Sequence, residues 1–181
     1  AIGQAIGIHL AINAILNQDK QLVRALAGAP LAVMRVGIPL VRDICQVTVP
    51  QLLDVVVVSP GGHPKDINLY QTQKALAHAS QITRPGGVVI LAAACPEGLG
   101  DEEFGAWLEQ RSSLEDVMET FRGEGFRVGP HKAYQIARDA RQAQVYLVSD
   151  MAPALVRRLF LTPEPTVEAA LAKAFTVLPG P

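Results

Sequence analysis

Residues 54–79 read DVVVVSPGGHPKDINLYQTQKALAHA, and this stretch decides the fold class. Val55 to Val58 form a continuous β-branched run, the pattern of a strand buried on both faces in a parallel sheet covered by helices. Ser59-Pro60-Gly61-Gly62 stops the strand. Two adjacent glycines lack side chains, so a ligand or another backbone can approach closely there. After Pro64 the rhythm becomes helical, with Asp66 the expected N-cap.

The helix that follows runs to about Ile82. Leu69, Thr72, Leu76 and Ala79 fall on one side, spaced to pack on the sheet, and Gln71, Lys74 and His78 fall on the other. Ligands of open α/β sheets bind outside the carboxyl ends of strands, where this glycine loop would lie. Two readings fit the outer face: an ordinary solvated helix surface, or an amide and an ammonium presented to a ligand. The loop matches neither the Walker pattern nor G-x-G-x-x-G, so it suggests phosphate binding only weakly.

SPGGHPKDINLYQTQK (59–74), RPGGVVILAAACPEGLG (84–100) and VGPHKAYQIAR (128–138) occur in this order along the chain. Together they resemble the carboxy-terminal domain of the nickel-dependent lactate racemase family. In that family a Gln and a Lys of a Y-Q-x-x-K segment reach the substrate, and the matching residues here are Gln71 and Lys74. Beside this pair, Gly61 and Gly62 of the strand-end loop, Tyr70, and His131 and Lys132 complete the expected substrate-binding surface. The resemblance also implies a nickel-pincer nucleotide, held mainly by an amino-terminal domain that is the expected partner of this one, and none in this chain alone. The chain starts on an apolar segment without Met or a basic lead-in, as an excised domain would.

Composition sets the remaining bounds. At 181 residues, 49% of them apolar, the chain fits one α/β domain spanning 1–181. Its net charge is −1, with Lys and Arg scattered, which argues against nucleic-acid or anionic-membrane surfaces. The apolar run 5–16 is too short and too interrupted to cross a membrane. Cys45 and Cys95 show no paired spacing, so a reducing cytoplasm is the simplest compartment. His9, His63, His78 and His131 lack HxH or HxxxH spacing, so no metal site is expected.

In chain order, Ile6 to Leu16 reads as a strand, Gln21 to Ala27 as its hairpin partner ending at Gly28, and Pro30 to Arg42 as a helix that Pro39 kinks or ends. His9 and Asn13, four apart, would share a strand face. The central sheet is expected to be mainly parallel, with strands at 45–49, 55–58, 88–94 and 145–148 and helices on both faces, a three-layer arrangement. Asp101 is the expected cap of a helix over 102–109. Further helices are expected at 114–121, from Pro130, at 152–160 and at 166–175, with an edge strand opening at Val177-Leu178. Buried structural Cys explains Cys95 better than a nucleophile does, since no histidine lies near it in sequence. Glu97 reads as a helix-capping carboxylate or a polar group in the cleft. His131 and Lys132 sit near a helix amino terminus, where an anion would offset the unfavourable placement of two cations.

The family's reaction inverts a 2-hydroxy acid at its α-carbon, which requires holding one carboxylate still while that carbon becomes planar. A lysine point charge and an amide one turn earlier suit that task from a rigid helix. Two other classes compete: an α/β module that binds a small organic acid or phosphate without turnover, and an interaction domain whose glycine loops only make turns. The ordered motifs favour the racemase domain over the last of these.

Overall fold

The computed structural model describes residues 2–178. The chain divides into two compact units, Ala1–Val49 and Pro50–Pro181.

The first unit holds α1 (Ile2–Ala5), β1 (Ala11–Leu16), β2 (Leu22–Gly28) and α2 (Pro30–Cys45). β1 and β2 form an antiparallel hairpin with Ala11 opposite Gly28 and Asn13 opposite Leu26. Asn17 organises the turn, its Oδ1 accepting from the amides of Asp19 and Gln21. α2 lies so close to the hairpin that a Cβ on Gly37 would come 3.2 Å from Leu26. The strand expected from Ile6 starts only at Ala11, so His9 lies outside it. Both His9 and Asn13 are exposed.

One expectation for this region is overturned, that of a strand over 45–49. Of the two readings of Pro39, an end to the helix is excluded, since Pro39 lies inside α2, which continues to Cys45. The carbonyl that loses its donor to Pro39 is that of Arg35, an exposed residue, so water can satisfy it. Residues 45–49 are not a strand. Cys45 is the last residue of α2, the amide of Gln46 caps back onto the Arg42 carbonyl at 2.8 Å, and Val47 is 83% exposed. β-branched residues without a neighbouring strand to pair with do not make one.

The second unit is the α/β domain. Its elements are β3 (Leu53–Val58), α3 (Leu69–Ile82), β4 (Thr83–Ala92), α4 (Glu102–Leu108), α5 (Leu114–Glu124), α6 (Pro130–Gln142), β5 (Gln144–Val148), α7 (Pro153–Arg158), β6 (Thr162–Glu164) and α8 (Val167–Val177). The four strands form one sheet in the order β3-β4-β5-β6, every pair parallel. Alternation along β4 separates two cores. Val89 and Leu91 pack with residues of α3, α4, α5 and α6, while Val88 and Ile90 pack with Ala170 and Ala174 of α8. The three-layer parallel architecture expected from sequence is therefore the one observed. The four-valine run is less buried than its composition implied, because β3 lies at the sheet edge and leaves Val57 half exposed.

Smaller differences have local causes. Val177 ends α8 and Leu178 caps it, so no edge strand opens there. β6, unforeseen because Pro163 lies within it and Pro165 follows it, is an edge strand, where a proline costs no ladder bond if its nitrogen faces outward. No helix among the described residues is long and apolar enough to cross a membrane.

Candidate functional site

α3 positions the candidate residues. Its inner stripe, Leu69, Thr72, Leu76 and Ala79, is buried as the spacing predicts, leaving Gln71 half-buried and Lys74 and His78 exposed. The helix is capped by Asn68, whose Oδ1 accepts from the Gln71 amide, and not by Asp66. Asp66 lies two residues too early, in the turn before Asn68, where the 95–99 loop engages the backbone. Cys95 and Glu97 donate to the carbonyls of Asp66 and Ile67, and Leu69 and Tyr70 donate to those of Gly98 and Leu99. Asp66 Oδ2 accepts from the Ala94 amide instead. The first amides of α3 are thus satisfied by protein. Glu97 does act on a cap, accepting from Asn68 Nδ2 at 3.3 Å.

Lys74 Nζ donates to Gln71 Oε1 at 2.6 Å. With its oxygen turned to the ammonium, the amide presents Nε2 as a second donor on the same face. Lys74 and His78 line two shallow depressions. One, of about 340 Å³, includes Val58, Ser59 and Pro60 at the carboxyl end of β3. The other, of about 380 Å³, reaches Lys132 and Gln135 on α6. Gly61 and Gly62 continue the β3 loop with positive φ, and Gly61 N donates to Ser59 Oγ.

Lys132 is only 6% exposed. Its ammonium donates to Gln73 Oε1 at 2.9 Å and Gln135 Oε1 at 3.2 Å and lies 4.8 Å from the centre of the Tyr70 ring. Every one of these partners is neutral. Burial lowers its pKa, and the neighbouring Lys74 charge lowers it further. His131 stands edge-on to Tyr70 at 5.8 Å and against Phe126 at 5.4 Å, with Nδ1 buried and lacking a hydrogen-bond partner among the described residues. Burial, then Lys132, pushes its pKa down.

The amides of the α6 amino terminus are not what would hold an anion here. The early ones are used locally, His131 N by the Arg127 carbonyl and Lys132 N by that of Gly129. The chain's own Asp101 comes so close that a Cβ on Gly129 would lie 2.8 Å from its Oδ1.

Sequence reasoning passed over Gln73 and Asp139, each under 4% exposed. Gln73 belongs to the stripe 69–73–76–80 and Asp139 to 132–136–139, so polar residues at helical spacing among apolar ones were the available signal. Asp139 Oδ1 pairs with Arg138 at 2.7 Å, and Oδ2 is buried without a partner among the described residues. Cys95 is 1% exposed and touches Thr72 Oγ1 at 3.5 Å, and burial raises its pKa. A neutral buried thiol is a poor nucleophile.

No three His, Cys, Asp or Glu side chains among the described residues gather to hold a metal ion. The side chains of the described residues do not offer the donor set of a nickel centre.

The profile of the lactate racemase C-terminal domain matches residues 49–179. The lactate racemase of Thermoanaerobacterium thermosaccharolyticum is 29% identical over 171 residues, covering 92% of this chain and 40% of that protein. The lactate racemase of Lactiplantibacillus plantarum is 28% identical over 172 residues, 91% of this chain and 39% of that protein. The chain thus spans about two fifths of these relatives. The solved lactate racemase apoprotein of T. thermosaccharolyticum superposes with a TM-score of 0.89 at 27% identity, over 97% of this chain and 43% of that one. A Thermotoga maritima protein at 11% identity, TM-score 0.62, covering 91% of this chain and 44% of its own, shares the fold alone. Its own sheet and helices, the profile spanning its α/β unit and these relatives place the chain in the lactate racemase C-terminal domain family.

Proposed function

We propose that the chain is the substrate-positioning part of a nickel-dependent racemase or epimerase of lactate or a related 2-hydroxy acid. The observation that carries this is the Gln71–Lys74 pair, two donors held side by side on a helix whose opposite face is buried. Lys74 supplies a point charge to the substrate carboxylate, and Gln71 Nε2 donates to the same group or to the developing oxo oxygen. Gly61 and Gly62 let the substrate pass close to the β3 loop, and Tyr70, His131 and Lys132 back the pair from the α6 side. These residues bind and orient; that is their whole contribution.

On this reading the hydride chemistry belongs to a nickel-pincer nucleotide held by an amino-terminal domain. The first unit supports such a partner. Among the described residues, large apolar side chains such as Ile6, Leu10, Ile12 and Leu22 are each more than 60% exposed there, while Ile15 and Val33 are its buried large ones. Surface of that kind is what a further body of polypeptide covers. Both cysteines are free, which fits the reducing cytoplasm.

The test is to purify the full-length protein with its cofactor and follow interconversion of L- and D-lactate and of larger 2-hydroxy acids, with the 181-residue chain in parallel. Turnover by the former alone is expected. A cofactor-loaded protein that binds organic acids and inverts none would instead make this a binding module.

A further inference from the structure

The depression between α3 and α6 has a charge composition that the fold alone does not account for. Lys74, Lys132 and Arg138 all line it, with Gln73, Gln135 and His78, and no carboxylate does. Arg138 is neutralised by Asp139, which leaves Lys74 and Lys132 as two ammonium groups on one surface. Lys132 is the unusual one. A buried ammonium normally has a carboxylate partner, because desolvating an ion is repaid only by an opposite charge. Here its partners are two amide oxygens and an aromatic face.

We infer that this depression is an oxyanion subsite, in which one carboxylate or phosphate group bridges Lys74 and Lys132. The inference rests on the function proposed above and adds to it the side of Lys74 on which the anion lies, together with the residue that completes the site. Gln135 is the gate. Its bond to Lys132 is the longer of the two and its side chain is half-buried, so an entering oxygen replaces Gln135 Oε1 while Gln73 keeps its place underneath. The freed amide can then donate to the anion. At about 380 Å³ the space accommodates a small hydroxy acid with room beside its carboxylate.

The test is an NMR titration of the 181-residue chain, following the lysine side chains, with lactate in one arm and inorganic phosphate in the other. Saturable binding of either ion is expected, the tighter one identifying the source of the oxyanion. Lys132→Met and Lys74→Met should each weaken it about tenfold or more. Lys173→Met, which removes the same charge beside Glu164, should leave it unchanged. Gln135→Glu covers the case in which Lys132→Met unfolds. It places a carboxylate against Lys132 within the chain, so it should raise the melting temperature and block the added ion by a similar factor. Binding that needs Lys74 but is indifferent to Lys132→Met and Gln135→Glu overturns the subsite and leaves the Gln71–Lys74 pair standing. Binding of neither ion overturns it as well, while racemisation by the full-length protein would still report separately on the broader reading.

Discussion

Asn68 fills the space where Gly100 would carry a side chain: a Cβ there would lie 2.2 Å from Asn68 Cγ. The glycine also has φ +79°, which other residues rarely adopt. The two loops of the domain are therefore fitted to each other at the residue that caps α3. Gly100→Ala should displace Asn68, expose the Gln71 amide and strain the backbone, at about 2 kcal/mol or more. Asn68→Ala, which loses the cap but makes room, should cost about 1 kcal/mol, and Asn68→Asp should cost less than that. Urea melts of the three variants check the order.

Cysteine accessibility separates the two thiols. Cys45 is exposed, and Cys95 is buried with a raised pKa. Iodoacetamide should label the native chain once, at Cys45, and a second time only in denaturant, with intact-mass spectrometry counting the additions. Rapid native labelling at Cys95 would mean that the β4 loop opens readily.

The parts of the fold legible in the sequence are those where one local pattern was strong enough to stand alone. The continuous runs of β3, β4 and β5 and the stripe Leu69–Thr72–Leu76–Ala79 gave strands and a helix phase that the structure keeps. Where a neighbour decides, pattern failed. Val47-Thr48-Val49 has strand composition and no strand beside it. Thr162–Glu164 has prolines and a β5 edge waiting for it. Asp66 has cap chemistry, and the 95–99 loop took the amides it would have capped. The candidate site followed the same rule. Helical phase placed Gln71 and Lys74 outward, but the fate of Lys132 depends on Gln73, fifty-nine residues away, and on no nearby pattern.

Lys132 should leave a mark on stability against pH. Its folded pKa lies below the ordinary lysine value, so the unfolded chain binds the proton more tightly. The cost of burying its charge is fully present at neutral pH. It is relieved as pH rises through the lowered folded value toward the ordinary one near 10.4. Cys95 and Tyr146, with raised pKa values, act in the opposite sense at alkaline pH. The comparison is therefore made between wild type and Lys132→Met. Across the alkaline range wild type should gain stability relative to the variant. Parallel curves from chemical denaturation at each pH would show that Lys132 does not titrate there.

The Gln71–Lys74 pair makes the sharpest functional prediction. Lys74→Ala in the full-length, cofactor-loaded protein removes a charge-assisted hydrogen bond to the substrate, about 1.5–3 kcal/mol, or roughly 10- to 150-fold in kcat/KM. Gln71→Ala should cost less, because it deletes a neutral donor, although it also frees Lys74 from the contact at 2.6 Å that orients it. The two effects should therefore fall short of additive in the double variant, since each residue acts partly through the other. Both side chains lie on the outward face of α3, so melting temperatures should shift little and any loss of turnover reports on the substrate. If the face is merely solvated, neither change alters racemisation. Full additivity of two large losses would point instead to separate contacts on different parts of the substrate.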